Sequence, residues 1–470
     1  MFEAKNEGAS CSSFRDSLGS VDSKGRRVFF YPKKPKGRFY NSRAWLSYVL
    51  LALMFAGPLL RVNGHPLILF NILERKFILF GVAFWPQDFK ILFIGFITLV
   101  VGIVLFTAIK GRLFCGWVCP QTIFMEMLFR RIEYVIDGDR PAQKKLASLA
   151  WSHPVKLRKR TLKFVLFFAI SSIIAHTFLA YIVGSDRVWS LVNQPISNNP
   201  GVFFSLILFT LIFFGVFWWF REQVCTIVCP YGRLQGVLLD PNTTQVSYDD
   251  VRGEPRGKHG QQRKSGLGDC IDCGQCVEVC PTGIDIRNGS QLECINCTAC
   301  IDACDAMMHT IKKPQGLIRY DSELGLSGQK SYFWRPRIML YALLLVVLAS
   351  AFGYLLFSRT DTETTILRAR GLAPQHLPDG RIGNLFMVKS INKTFHEVPV
   401  EFHLTTQSGS LRMIGHSLSI PPQGYSEGAF FIYFPSESTQ FGKTLQPMPI
   451  TIEVRSGEKI LERIQSQFQF

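Results

Sequence analysis

Two runs of cysteines between residues 270 and 304 have the spacing of iron-sulfur ligands. Each run follows C-x2-C-x2-C-x3-C, and the eight positions are Cys270, Cys273, Cys276, Cys280, Cys294, Cys297, Cys300 and Cys304. In bacterial ferredoxins with two clusters, three closely spaced thiolates of one run bind one cluster and the fourth binds the other. The spacing therefore predicts two 4Fe-4S clusters. The first ligand set is Cys270, Cys273, Cys276 and Cys304, and the second is Cys294, Cys297, Cys300 and Cys280.

Zinc is the alternative metal for these cysteines, since C-x2-C is also the spacing of zinc fingers. A third Cys in step and Pro281 after Cys280 are features that zinc does not need, and they favour iron-sulfur clusters. The second run departs from the pattern, because Asp305 and not proline follows Cys304. Two clusters indicate one-electron transfer and not group-transfer chemistry.

Four more cysteines form two CxxxCP motifs. Cys115 and Cys119 precede Pro120, Cys225 and Cys229 precede Pro230, and the two motifs are 110 residues apart at every matching position. Each motif follows an apolar segment, so the pair is an internal repeat. On a helix, positions i and i+4 share one face, and proline interrupts the helix after the second thiol. We expect the four thiols to converge.

The chemistry of these four thiols has several possible interpretations. They suit Cu(I) or another thiophilic metal, a redox dithiol pair, or a boundary site for a quinone or an extra cofactor. Buried cysteines that only pack are the structural alternative. Covalent haem attachment is excluded, because the chain contains no C-x-x-C-H.

The remaining potential ligands are interpreted as structural. His176 lies in an apolar segment and is expected to be hydrogen-bonded within a helix bundle. Glu126 is expected to be a solvated carboxylate, and Cys11, in the N-terminal tail, is treated as incidental. A copper site outside the membrane is weighed and set aside for four residues: Met413, His416, His396 and His403.

Five apolar runs without charged residues position the CxxxCP motifs. Each is close to the ~20 residues that cross a bilayer, and their bounds are Ala44–Leu60, Ile91–Ile109, Phe164–Gly184, Gly201–Phe220 and Ile338–Phe357. The first run follows a long polar tail, so it is expected to be a retained anchor and not a signal peptide. Residues 66–84 contain Glu74, Arg75 and Lys76 and are interpreted as an interfacial or re-entrant segment.

The basic residues follow this topology. The net charge of +17 would suggest nucleic acid on a soluble domain, but the Lys- and Arg-rich segments alternate with poor ones between the apolar runs. The positive-inside rule then places the N-terminus and the cysteine-rich segment in the cytoplasm and the C-terminal segment outside. We expect a multi-pass protein of the bacterial inner membrane, with a periplasmic C-terminal domain and no nucleic-acid partner.

The fold class is a multi-domain membrane protein: an α-helical bundle of about five spans, a two-cluster ferredoxin-like module and an all-β C-terminal sandwich. Strand-like alternation at Val398, Val400, Phe402 and Leu404, and again at Ile450, Ile452 and Val454, supports the sandwich. The predicted boundaries are a tail at 1–43, a four-span module at 44–249, a linker at 250–268, the ferredoxin-like module at 269–312, a connector at 313–337, a fifth span at 338–357 and the β domain at 358–470.

The ordered set of features resembles one family. The stretches CGWVCPQTIFMEM (from Cys115), CTIVCPYGRLQG (from Cys225) and SYDDVRGEPRG (from Ser247) are similar to the cytochrome c oxidase accessory proteins called CcoG, FixG or RdxA. The resemblance covers the chain from about residue 30 to the end. It implies an immunoglobulin-like C-terminal domain and a role in assembling the copper-containing cbb-type oxidase.

The resemblance also implies an activity. The family is associated with reduction of Cu(II) to Cu(I), so we expect an oxidoreductase, a cupric reductase, with copper as substrate or ligand at Cys115, Cys119, Cys225 and Cys229. Expected partners are copper ions, copper chaperones and oxidase assembly factors, with an unknown cytoplasmic electron donor and a homodimer as one possible state. The alternatives are a quinol dehydrogenase-like subunit feeding a periplasmic reductase, which would lack the final span and β domain, and a non-enzymatic assembly scaffold.

Overall fold

The structure is a computed structural model of the 470-residue chain. It describes residues 24, 26–62, 64–72, 76–258, 266–330, 332, 334–369, 371–406, 409–415, 418–435 and 447–469. Cys11, Glu74, Arg75 and His416, together with part of the predicted linker, lie outside the described residues. The chain divides into two compact units, Ile94–Ala349 with the described residues before Phe70, and Phe70–Phe93 with the described residues from Ser350.

Four helices among the described residues are long and apolar enough to cross a membrane. They are Pro86–Lys110, Pro154–Val183, Pro200–Phe220 and Pro336–Phe357, and they contain four of the five predicted spans. All four begin at a proline, which is well tolerated at the first helical position because its missing N–H has no partner there. The helix Pro200–Phe220 changes to π-helical hydrogen bonding over Val216–Phe220, just before the second CxxxCP motif.

The first predicted span is a helix, but it differs from the other four. The helix Arg38–Ala56 has 19 residues, and it starts six residues before the predicted span and ends four before its end. Arg38, Asn41 and Arg43 lie in its first two turns, so a window of membrane length is less apolar here than in the other helices. A total of five spans therefore stays a prediction.

Short strands and not a helix follow this first helix. Arg61–Val62 (β1) pairs with His65–Pro66 (β2), and Ile68–Asn71 (β3), Lys76–Leu79 (β4) and Val82–Phe84 (β5) form a three-stranded sheet. β4 and β5 are antiparallel, with Phe77 opposite Phe84. The predicted interfacial segment at 66–84 is thus β-structured where it is described.

Short helices connect the spans and carry the cysteine motifs. They are Leu113–Trp117, Pro120–Thr122, a π-helix at Ile123–Phe129, Arg130–Ile136, Arg140–Ser148, Ser185–Val192, a π-helix at Val224–Val228, and Pro230–Leu238. Turns of 3-10 helix lie at Pro86–Asp88, Ile196–Asn198 and Ile286–Asn288. Short polar segments, residues 111–112 and 221–223, separate the spans that end at Lys110 and Phe220 from the short helices that carry the first cysteine of each motif.

The cysteine-rich segment is built on a small sheet and two helices. Gln245–Tyr248 (β6) and Ile318–Asp321 (β7) form an antiparallel pair that brackets it. Its helices are Gln275–Glu278 and Ala299–Thr310, with short helices at Asp250–Gly253 before it and Glu323–Leu326 after it. The sheet extends this segment on both sides of the predicted boundaries 269–312.

The C-terminal region is a β domain of two antiparallel sheets. One sheet has the strand order β12-β14-β10-β8, with β9 paired to β10, and the other has the order β13-β11-β15-β16. The strands are Thr362–Arg368 (β8), Gln375–His376 (β9), Arg381–Asn392 (β10), Val398–Leu404 (β11), Ser410–Ile414 (β12), Leu418–Ile420 (β13), Tyr425–Pro435 (β14), Met448–Ser456 (β15) and Lys459–Phe468 (β16).

Both sheets contribute to one apolar core. Phe386 and Phe430 from the first sheet and Phe402 and Ile452 from the second belong to the same buried cluster. The predicted alternation is confirmed in β11, where Val400 and Phe402 are buried and Pro399, Glu401 and His403 are exposed. In β15 the polar Glu453 is also buried, because it pairs with Arg455 and Arg463.

Candidate iron-sulfur and thiol site

The first predicted ligand set surrounds one cavity. Cys270, Cys273, Cys276 and Cys304 line one small pocket together with apolar residues such as Leu317 and Met308. Cys270 and Cys273 lie in the loop before the helix Gln275–Glu278, and Cys276 lies in that helix. Cys304 lies in the helix Ala299–Thr310. The structure therefore groups three thiols of the first run with the last thiol of the second run.

The second predicted ligand set surrounds another small cavity. Its lining includes Cys280, Cys294, Cys297 and Cys300, and Cys276 lies between the two cavities and lines both. Cys280 is the last thiol of the first run, so the exchange between the runs is reciprocal. The assignment of individual ligands stays a prediction, which this grouping supports.

The two runs follow the same backbone path. Two and four residues after the first cysteine of each run, the backbone is left-handed: Asp272 and Gly274 in the first run, and Asn296 and Thr298 in the second. Asp, Asn and Gly tolerate this conformation, whereas a β-branched threonine does not favour it. Thr298 is fully buried and its hydroxyl donates to the Cys297 carbonyl at 2.6 Å. Strain of this kind persists where a functional site requires the loop geometry.

The donor set fits iron-sulfur clusters. Burial raises the pKa of the Cys276, Cys294 and Cys304 thiols to about 12 and that of Cys297 to about 11. Thiolates are the metal-binding form, so these buried sulfurs need a cationic centre to become charged near neutral pH. Two apolar cavities, each lined by at least four thiols, provide that environment.

The CxxxCP motifs each break into two helical segments. Cys115 lies in the helix Leu113–Trp117, and Cys119 is the residue before the helix that begins at Pro120. Cys225 lies in the π-helix Val224–Val228, and Cys229 precedes the helix that begins at Pro230. The prolines therefore begin new helices, and the two thiols of a pair are not on one continuous helix.

The four CxxxCP thiols are close enough to affect one another electrostatically. Burial raises the pKa of Cys225 to about 12, and the nearby sulfurs of Cys119, Cys115 and Cys229 add to this effect. The Gln235 side-chain amide donates to the Cys115 sulfur at 3.1 Å. Across the described ranges, no three His, Cys, Asp or Glu side chains are arranged to hold a single metal ion, in the CxxxCP motifs or in the two cysteine runs. The four CxxxCP thiols thus lie near one another without forming a metal-binding set, and copper binding stays a prediction.

The first CxxxCP motif packs directly on the second cysteine run. An added Cβ at Gly116 would lie 2.4 Å from the Ile295 carbonyl oxygen and 2.9 Å from that of Asn296, so only glycine permits this approach. Cys115 packs against an apolar cluster that includes Cys297. Nearby, the Trp117 indole donates to the Tyr320 hydroxyl at 3.2 Å. The CxxxCP thiols and the second cavity are therefore neighbours.

A buried network of ion pairs lies near the motifs, and the sequence analysis missed it. Glu133 accepts two hydrogen bonds of 2.9 Å from Arg221, and Lys163 also pairs with it. Arg130 pairs with Glu126 and Glu222, so Glu126 is a paired residue and not the solvated carboxylate that was expected. The recurrence of an arginine before each motif, Arg112 and Arg221, was the available signal.

An N-terminal strap, residues 26–37, connects the helical module to the cysteine-rich segment. The backbone N–H of Lys33 donates to the Glu278 carbonyl at 2.8 Å, and that of Lys34 donates to the Asp139 carboxylate at 2.8 Å. Phe30 packs on Gly283, close to the turn after Cys280. These residues fall in the predicted tail at 1–43, and no sequence motif marks their contacts.

The other potential ligands have ordinary surroundings. His176 Nδ1 lies 2.7 Å from the carbonyl oxygen of Ser172, one turn earlier in its own helix. His403 is exposed beside Glu401 on β11. Met413 is half-buried on β12.

Comparison with known proteins identifies the family. The chain is 35% identical to protein RdxA of Cereibacter sphaeroides over 78% of this chain and 80% of that protein. It is 33% identical to protein RdxB of the same organism over 84% and 86% of the two chains, and 32% identical to nitrogen fixation protein FixG of Rhizobium meliloti over 80% and 78%. The chain belongs to the FixG/RdxA family.

Three family models agree with this membership. A 4Fe-4S dicluster domain matches residues 220–323, and a model described as an IG-like fold at the C-terminal of FixG matches 352–470. A 4Fe-4S binding domain matches residues 92–139, a stretch whose cysteines are Cys115 and Cys119. The protein is thus an iron-sulfur electron-transfer protein of the FixG/RdxA family, and its apolar helices make it a membrane protein.

Proposed function

We propose that this family member reduces Cu(II) to Cu(I) during assembly of a cbb-type cytochrome c oxidase. The observation that carries the proposal is the contact between the two groups of cysteines, where Gly116 of the first CxxxCP motif packs on the loop Ile295–Asn296. The proposed iron-sulfur ligands and the proposed copper ligands would therefore be adjacent. One group suits electron transfer and the other suits the metal that receives the electron.

The cysteine-rich segment would hold two 4Fe-4S clusters in the ligand sets predicted above. When bound, such clusters supply one-electron transfer, which matches the single electron that each Cu(II) requires. The chain's own contribution is to bury the thiols and keep the second set beside the first CxxxCP motif. The immunoglobulin-like assignment of the β domain belongs to this proposal as well.

The four CxxxCP thiols would handle the copper substrate. Thiolates are soft ligands that favour Cu(I) over Cu(II), so Cys115, Cys119, Cys225 and Cys229 would stabilise the product. Because these thiols are not preorganised around one point, we expect transient binding and transfer to a copper chaperone. Oxidase assembly factors, a cytoplasmic electron donor and a possible homodimer complete the set of proposed partners.

The proposal includes an orientation in the bacterial inner membrane. The cysteine-rich segment and the N-terminus would be cytoplasmic, and the β domain periplasmic, because Lys and Arg are concentrated in the segments assigned to the cytoplasm. Cysteine-accessibility labelling with a membrane-impermeant maleimide, at single cysteines added to the β domain and to the 140–148 helix, tests this orientation. Labelling of the helix and not of the β domain from outside would contradict it.

The activity is tested anaerobically with purified full-length protein. The protein is reduced with dithionite, excess reductant is removed and Cu(II) is added. Cluster reoxidation is followed by EPR, and Cu(I) is trapped with a chromogenic chelator. We expect one Cu(I) for each electron lost, and loss of this reaction in the Cys115→Ala, Cys225→Ala double variant with unchanged iron content.

The matched control is Cys11→Ala, which removes a cysteine outside both groups and should leave the yield of Cu(I) unchanged. Reduced clusters that ignore Cu(II) in the wild-type protein would refute cupric reduction. Oxidation of a quinol by the same protein without copper reduction would favour the quinol dehydrogenase alternative. Normal oxidase assembly in cells with a Cys270→Ala, Cys294→Ala variant would favour the scaffold.

A further inference from the structure

Two buried arginines lie beside the second cysteine cavity without a carboxylate partner. Arg43 is 3% exposed, and its guanidinium donates to the Cys297 carbonyl at 3.3 Å. Arg112 is 5% exposed and donates to the carbonyl oxygens of Gly232, at 2.6 Å, and Leu292. Nη2 of Arg43 and Nε of Arg112 have no hydrogen-bond partner. Within the described part of the chain, neither guanidinium forms an ion pair.

The first cavity has a different electrostatic environment. The cation that lines it is the half-buried Arg287, which pairs with Asp285 at 2.7 Å and with Asp272 at 2.5 Å. Two carboxylates therefore offset the single guanidinium charge there. At the second cavity, Glu293 attracts Arg112 without forming an ion pair with it, and the other groups that favour the charged guanidinium are Cys115, Cys294 and Tyr231.

An uncompensated buried charge is costly, so its presence requires an opposing charge. Removing a guanidinium from water without a charged partner is unfavourable, and two such groups at one cavity would destabilise a chain with neutral thiols. A site built on four thiolates supplies negative charge, and gaining one electron makes the site more negative by one unit. Cations held nearby favour that change, since net charge is one of the factors that set iron-sulfur potentials.

We propose that Arg43 and Arg112 are positioning residues that raise the reduction potential of the second iron-sulfur site and so favour electron transfer toward the CxxxCP thiols. Arg112 also connects the two CxxxCP regions with the segment before the second cysteine run. It donates to the carbonyl oxygen of Gly232, two residues after the second motif, and to that of Leu292, two residues before the second cysteine run, and it lies three residues before Cys115. This inference rests on the proposed ligand sets and not on copper reduction.

The test is an EPR-monitored redox titration of the full-length protein in detergent, without copper. In the wild type we expect two iron-sulfur signals with separate midpoints. Arg43→Gln removes the charge and keeps a polar side chain, so it should lower one midpoint and leave the other in place. We expect a roughly tenfold lower ratio of reduced to oxidised sites at a fixed potential, a shift of about 59 mV for a one-electron couple.

Two variants separate charge from structure. Arg43→Lys keeps the charge and should keep most of the midpoint, and Arg112→Gln should lower the same midpoint as Arg43→Gln. The matched control is Arg131→Gln, because the Arg131 guanidinium also contacts the helix Arg38–Ala56 but lies over Tyr40 and Tyr48. This control should leave both midpoints unchanged.

Three results with the variants would overturn the inference. These are unchanged midpoints in both Arg43→Gln and Arg112→Gln, equal shifts of both signals, or a shift in Arg43→Lys as large as that in Arg43→Gln. If Arg43→Gln loses iron, the other two variants test the inference. An unchanged midpoint in Arg112→Gln, or a roughly tenfold change in the ratio of reduced to oxidised sites in Arg43→Lys, would then overturn it. Because copper is absent, a failed titration contradicts the role of the arginines and leaves cupric reduction to its own assay. A wild-type protein with only one cluster signal would refute both the arginine role and the proposed ligand sets.

Discussion

Replacing Gly116 by alanine tests the contact on which the proposed function depends. A Cβ at this position would lie 2.4 Å from the Ile295 carbonyl oxygen, and such contacts are essentially never shorter than 3.0 Å. The loop or the motif must therefore move by at least about 0.6 Å. Both opposing atoms belong to the backbone, so no side chain can rotate away. Overpacking of this kind costs roughly 1–3 kcal/mol.

Thermal loss of the iron-sulfur absorbance in detergent measures this cost. We expect Gly116→Ala to lose its clusters at a lower temperature than the wild type, because the displaced loop carries Cys294 and Cys297. Two control glycines lie in membrane helices: Gly215 has no atom within 4 Å of an added Cβ, and Gly102 has one at 3.8 Å. Alanine is a better helix former than glycine by about 1 kcal/mol, so Gly215→Ala and Gly102→Ala should be neutral or stabilising.

A melting temperature of Gly116→Ala equal to those of the two control variants would refute the packing of the motif on the second cysteine run. The copper assay gives a second readout. If the contact carries electrons between the two groups of cysteines, Gly116→Ala should slow cluster reoxidation by Cu(II) at a temperature where the clusters are still intact.

Three other substitutions test the surrounding structure. Burial would raise the pKa of Glu133, but Arg221, Lys163 and Arg130 lower it to about 2. The stabilisation by the charged Glu133 carboxylate should therefore be complete above about pH 4.5 and decline as the pH falls toward 2. Glu133→Gln should cost about 3–5 kcal/mol, because it leaves buried cations unpaired, and thermal unfolding at pH 7 checks this. Asp302 accepts the N–H groups of Phe39 and Tyr40 at 3.2 and 2.8 Å, so Asp302→Ala should cost about 1–3 kcal/mol and speed proteolysis near residue 38. Phe386 is fully buried in the β domain, and Phe386→Ala should destabilise it by about 3–5 kcal/mol, measured by chemical denaturation monitored by fluorescence.

The sequence predicted most of the elements because their patterns are local. Apolar runs of about 20 residues predicted four helices with ends within five residues of the observed ones, except that the helix Pro154–Val183 begins ten residues before the predicted start. The alternation in β11 predicted which side of that strand is buried. The C-x2-C-x2-C-x3-C spacing predicted which thiols share a cavity, since the exchange between runs is a property of the motif itself. These predictions required no knowledge of distant contacts.

The parts that could not be predicted depend on contacts between distant residues. The ion pair of Glu133 with Arg221 joins positions 88 residues apart. The repeated arginine before each motif marks Arg221, but nothing in the sequence marks Glu133 as its partner. The strap hydrogen bonds of Lys33 and Lys34 use backbone N–H groups, which carry no sequence signal. The break in each CxxxCP motif also differs from expectation, because proline begins the following helix and does not only end the preceding one.

The helix Arg38–Ala56 shows that such distant contacts decide how much of a predicted apolar span can lie in the membrane. Its first turns bind the cysteine-rich segment, with Asp302 accepting two of its N–H groups and Arg43 donating to Cys297. Residues engaged with polar backbone cannot also lie in hydrocarbon. The second half is apolar, and its Met54 carbonyl accepts a hydrogen bond from Tyr181 of the helix Pro154–Val183 at 2.9 Å. One helix therefore attaches to a membrane-spanning helix at one end and holds a buried cation beside the second cavity at the other, so the position of that charge depends on the helical module.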